Sequence, residues 1–219
     1  MTAALATPPL TGSRAVWARR IIQLLVGLFL YGIGLAMMVR AGIGVAPWDV
    51  LSQGIAHRTG LPFGLVTNIL GALVLLLWIP IRVRVGVGTV ANVLLLGTSA
   101  QLGLNVIPQQ TVPGSQALVF AGGLALVAVA TGLYIGARLG PGPRDGLMTG
   151  LHHRTARPIW MVRTSLEVVV LLIGVVLGGQ FGIGTLAFAL LIGPMVNVTM
   201  PLFHIRDATA ASANTSPTP

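Results

Sequence analysis

Only four acidic residues occur in this chain of 219 residues, and two of them stand in matching contexts. Gly44-Val-Ala-Pro47-Trp48-Asp49 answers Gly140-Pro-Gly-Pro143-Arg144-Asp145. In each segment a Gly/Pro-rich break precedes the Asp, and a short helix-like stretch follows it, 50–57 and 146–153. A carboxylate so placed can bind a cation, relay protons or meet a basic substrate. It can also accept orphan backbone N–H bonds at a helix start, where the positive end of the dipole favours it. The capping role is the plainer reading, because Pro suits the first helical position.

Other residues could join these carboxylates. Arg40 and Arg138 precede them by nine and seven positions, and Arg144 competes with Arg138 for Asp145. Arg40 is expected to snorkel from a span end to the headgroups. Arg forks beside Gly-rich backbone also suit anions, though no P-loop pattern is present. Glu167 is the one acid well inside a predicted span, and Arg163 lies at the i,i+4 spacing that lets the two pair. Asn92 stands close behind Gly86-Val-Gly88-Thr89 and is a further ligand candidate. Asn68, Gln101, Asn105 and Asn197 are expected to bond between helices. His57 and His153 follow their Asp residues by eight positions, so they share a helix face. They are expected at the headgroups, since a metal needs three or four convergent ligands and the chain has no cysteine. Neither a metal nor a cofactor is expected. No nucleophile with an adjacent base and no nucleotide motif appears, so an enzyme is not expected.

Membrane spans must position these residues. Hydrophobic residues make up 54% and charged residues 8%, against about 25% charged in soluble domains, and mean hydropathy is +0.89. Six apolar stretches reach the roughly 20 residues that cross a bilayer: 21–39, 61–81, 85–107, 117–137, 159–177 and 181–202. All thirteen basic residues are Arg. With both termini cytoplasmic, only Arg40 and Arg58 fall outside, so the net charge of +9 reports topology and not a nucleic-acid partner. Residues 44–97 also recur at 140–193 without a gap, identical at 21 of 54 positions, where composition alone gives roughly one in ten. A unit of three spans is odd, so the second copy enters from the opposite side. The expected fold is all-α and polytopic: about six transmembrane helices in two inverted three-helix repeats, with short re-entrant or interfacial helices. Repeat one covers about 16–107 and repeat two about 115–204, within one membrane domain at 14–206. Residues 1–13 and 207–219 are small, polar and Pro-bearing, and are expected to be disordered.

The run Tyr134-Ile-Gly-Ala-Arg138-Leu-Gly140-Pro-Gly-Pro143-Arg144-Asp145-Gly-Leu, with Gly44-Val-Ala-Pro47-Trp48-Asp49 and Thr59-Gly-Leu-Pro-Phe-Gly, resembles the YczE branch of the YczE/YyaS/YitT bacterial membrane proteins. The resemblance implies a polytopic protein of the bacterial inner membrane and no particular substrate. Inverted repeats and broken polar segments are recurrent in transporters. The expected function is therefore a transporter-like carrier or channel for a small solute, with the lipid bilayer as solvent. The alternatives are a substrate-binding membrane subunit with an ATPase partner, or a non-transporting scaffold. A homo-oligomer is compatible with each.

Overall fold

The computed structural model describes residues 14–203, so the expectations for 1–13 and 207–219 lie outside the described residues. Regular structure there is entirely helical. Eight helices follow in order: α1 (Arg14–Ala41), α2 (Pro47–Thr59), α3 (Phe63–Ile81), α4 (Val87–Val106), α5 (Pro113–Gly136), α6 (Pro143–Thr155), α7 (Ile159–Val176) and α8 (Ile183–Phe203). Six of them (α1, α3, α4, α5, α7 and α8) are long and apolar enough to cross a membrane, and they match the six predicted stretches, with α1 starting seven residues earlier and the other ends within four residues. The two short helices begin at Pro47 and Pro143, three residues before the predicted stretches. Both Asp residues therefore lie inside the first turn, not ahead of it.

The 96-residue repeat extends to the helix boundaries, since α2 and α6 begin and end at matching positions. Contacts repeat too. α1 packs on α4 as α5 packs on α8, and α2 packs on α7 as α6 packs on α3. The turn before each short helix docks through the same bond made twice: Gly184 N donates to Ile43 O at 2.8 Å, and Gly88 N donates to Leu139 O at 2.8 Å. At the crossed interfaces the volumes are exchanged. Trp78 of α3 fills the space over Gly146 of α6, whereas Gly174 of α7 lies under Val50 and Leu51 of α2.

α1 and α5 form the centre, with Leu28, Leu35, Met38, Val127 and Ala128 almost wholly buried. They run antiparallel. Gln23 near the start of α1 donates to Leu133 O late in α5 at 3.0 Å, and Gly34 faces Val127 in mid-helix. α1 and α4 run parallel, with Gly32 against Ser99 and Ala100, and Gly103 against Ala36. Arg40 does not snorkel outward as expected, because its guanidinium donates to Leu104 O of α4. α7 and α8 are the least buried spans; their outward faces, with residues such as Leu172, Val176, Leu190 and Val198, are exposed. An apolar surface of that kind is stable where the solvent is lipid.

These directions decide the course of α2 and α6. The end of α1 meets the end of α4 (Gln110 N to Arg40 O, 2.8 Å), and α3 begins beside Gln101, whose Oε1 accepts from Gly64 N at 3.1 Å. The chain between α1 and α3 thus returns to the end of the bundle it left. The chain between α5 and α7 does the same at the other end, where Arg154 donates to Pro80 O and Gly150 packs on Ile81 and Val83. Their first turns face each other across the interior.

Candidate functional site

Two extended loops carry these first turns inward. Gly44 and Gly140, repeat mates, have φ of 118° and 126°, a region that L side chains rarely adopt. Each lies against the Gly-x-Gly-Thr start of a long helix, with Gly44 beside Thr185 and Gly140 beside Thr89. Thr89 Oγ1 further donates to Pro141 O at 2.8 Å. Pro47 and Pro143 then open α2 and α6 with backbone pre-set for a helix. The expected Asp cap is not formed: neither helix has a side-chain cap bond, and Ala46 and Gly142 occupy the cap positions. Asp49 and Asp145 are instead free to bond elsewhere.

They do so differently. Asp49 is fully buried, and its Oδ1 accepts from Arg144 Nη2 of the other half at 3.0 Å. The same guanidinium lies 5.3 Å from the ring centre of Trp48, so one cation serves both a carboxylate and a ring face. Trp48 and Arg144 are repeat mates, and their unlike side chains therefore meet. Asp145 is exposed to the interior space, and its Oδ2 accepts from Tyr134 Oη at 2.6 Å. Tyr134 stands edge-on to Tyr31, with ring centres 6.1 Å apart. The expected local contest of Arg138 and Arg144 for Asp145 does not occur. Arg144 crosses to Asp49, while Arg138 ends α5 in the left-handed conformation (φ 56°) and does not line the cavity.

A cavity of about 430 Å³ opens among these groups, lined by the middle of α3, the first half of α4, the last turns of α5, the first half of α7 and much of α8. Trp48, Arg144, Asp145, Asn92, Glu167 and both tyrosines of the chain line it. That volume is in the range of small-molecule sites. Glu167 pairs with Arg163 at 2.9 Å, the expected i,i+4 bond. Asn92 is buried beside Gly142. His57 and His153 lie exposed at the far ends of α2 and α6, away from the cavity. Among the described residues no group of three or more His, Cys, Asp or Glu could hold a metal. Tyr31, Tyr134 and Trp78 were not singled out by spacing. Trp78 Nε1 donates to Pro143 O at 3.1 Å and thereby fixes the start of α6. The signal available was that both tyrosines fall inside apolar spans, where a phenol needs a partner.

The two halves are not closed alike around the cavity. α3 and α4 pack closely, whereas α7 and α8, their mates, form no comparable interface. In the first seam Gly64 and Gly97 let the backbones touch. Asn68 donates to Leu94 O and Thr98 Oγ1, each at 3.1 Å, and accepts from Gly97 N at 2.9 Å. The repeat replaces Gly64, Asn68 and Thr98 by Trp160, Thr164 and Pro194. A β-carbon at Gly97 would collide with Gly64 and Asn68, but one at its mate Gly193 would meet nothing within 4 Å. The lining follows this difference: along α8 it runs from Phe188 to Met200, but along α4 it stops at Leu96.

A family of unknown function, DUF6198, matches residues 18–201. The chain belongs to that family. Among this member's relatives, an uncharacterized protein of Haemophilus influenzae is 38% identical over 186 residues, 83% of this chain and 85% of the relative. The uncharacterized membrane protein YczE of Bacillus subtilis is 28% identical over 177 residues, 80% of this chain and 82% of its own. YyaS of the same organism is 26% identical over 183 residues, 81% and 90% of the two chains. The resemblance to the YczE and YyaS proteins is therefore shown, and with it a multi-pass membrane protein. No solved structure matches the chain.

Proposed function

We propose that this DUF6198 member is a small-solute carrier of the bacterial cytoplasmic membrane, built from two inverted repeats that close alternately on a shared cavity. The observation that carries this reading is the unequal pair of seams. Gly64, Asn68 and Gly97 seal one end of the cavity, while Trp160, Thr164 and Gly193 leave the matching end open. A channel has no need of such inequality between repeats, whereas a carrier held in one of two states requires it. The antiparallel α1 and α5 support inversion, because they are mates. With the N-terminus cytoplasmic, as the Arg count favours, the open end faces the cytoplasm. Packed seams are bistable and do not deform continuously.

Cross-linking tests the exchange directly, in a chain that has no native cysteine. Asn68→Cys with Thr98→Cys should link in the state described. Thr164→Cys with Pro194→Cys should link only when the cavity opens to the other side. With all four cysteines present, each molecule should carry one link or the other. A second pair that never links, at any pH or with any solute, contradicts the carrier reading.

A further inference from the structure

We propose that the cavity binds a small organic cation of the ammonium type, with Asp145 as its counter-ion; that such a cation is carried, and not merely held, rests on the reading above. Four acidic or basic side chains line the cavity, Arg144, Asp145, Arg163 and Glu167, and a fifth, Asp49, lies buried beneath its wall. Asp49 is matched by Arg144 at 3.0 Å and Glu167 by Arg163 at 2.9 Å. Asp145 has no cation within ion-pair distance among the described residues; its Oδ2 is held by the Tyr134 hydroxyl. A hydroxyl orients a carboxylate without neutralising it, so once Arg144 is matched by the buried Asp49, Asp145 is the one acid at the cavity wall without an ion-pair partner among the described residues.

The positive start of α6, spread over several N–H groups, does not replace a counter-ion. A metal is a poor candidate, because hard cations take six or more oxygen ligands or near-octahedral geometry, and among the described residues no three acids or histidines converge. An ammonium needs only one carboxylate and aromatic faces. Tyr31, Tyr134 and Phe188 line the same space, and Trp48 already accepts a cation, Arg144, over its ring. An anion has no comparable partner, since Arg144 and Arg163 are each committed to an acid.

The test uses the purified full chain in detergent, titrated with three matched series: alkylammonium ions from methyl to hexyl plus tetramethyl- and tetraethylammonium, the corresponding alcohols, and the corresponding carboxylates. Thermal unfolding and tryptophan fluorescence give the affinities. At least one ammonium should bind about tenfold more tightly than its alcohol and carboxylate counterparts. Asp145→Asn should remove that preference, so that the ammonium binds no more tightly than its alcohol, and Asp145→Glu should retain it. Should Asp145→Asn fail to fold, carbodiimide modification of Asp145 in the natural chain gives the second readout, and the bound ammonium should protect it. Equal affinity for cation and alcohol, tighter carboxylate binding, a preference that survives Asp145→Asn, or absence of protection would overturn the proposal. Ammonium binding without exchange of the cross-links would leave a binding site that does not carry. Exchange without ammonium binding would leave a carrier for another class of solute.

Discussion

Arg144 in the first turn of α6 donates to Asp49 in the first turn of α2 at 3.0 Å, joining two residues that lie 95 positions apart. The bond ties the inner ends of the two short helices across the cavity. Asp49 is fully buried, while the Arg144 side chain keeps 26% of its exposure. Removing the cation strands a buried charge, which typically costs about 3–5 kcal/mol. Arg144→Ala should therefore destabilise the protein by about 3 kcal/mol, and Asp49→Asn in the same chain should recover much of the loss. Thermal unfolding in detergent measures both.

The hydroxyl that holds Asp145 is worth less. Tyr134→Phe removes one bond to a carboxylate that is itself exposed to the cavity. The loss should be about 1 kcal/mol, with the fold retained. A loss like that of Arg144→Ala would mean that Tyr134 supports the packing at Tyr31 more than it orients the acid.

The seams make a prediction on matched residues. Gly97→Ala should destabilise by about 1–3 kcal/mol, because its β-carbon has no room between Gly64 and Asn68. Gly193→Ala, at the repeat mate, should be neutral or stabilising, because a β-carbon there meets open space and Ala favours helix. Equal effects on unfolding temperature would mean that the seams are alike in the membrane.

The Arg163–Glu167 pair is expected to contribute little to stability. Its side chains keep 50% and 24% of their exposure, and exposed i,i+4 pairs contribute about 0.3–0.5 kcal/mol. Glu167→Gln should shift the unfolding midpoint by no more than that amount implies, at low and at high salt.

What could be read in the sequence was what is local or periodic. Span length and apolarity gave six helices, and the ungapped repeat paired Asp49 with Asp145 before either had a partner. Spacing also paired Arg163 with Glu167, because i,i+4 neighbours on one helix must meet. The partner of Arg144 was not legible. The nearest acid along the chain is Asp145, but Arg144 points away from it to Asp49, and only the tertiary crossing of α2 and α6 brings those two together. The cap expected of each Asp failed for a related reason. Pro47 and Pro143 start the helices two residues ahead of each Asp, which places the Asp at the third helical position with its side chain turned inward. The open second seam was half written in the replacement of Gly64 by Trp160, yet it could be recognised only once Gly64 was found against Gly97.

Inversion of the two repeats around one cavity can be tested at the exposed mates His57 and His153. His57→Cys and His153→Cys would each be made singly and treated with a membrane-impermeant thiol reagent on intact cells and again on opened cells. Inverted repeats should give labelling at 57 in intact cells and at 153 only after opening. Equal labelling of both in intact cells would place α2 and α6 on one side of the membrane and contradict inversion.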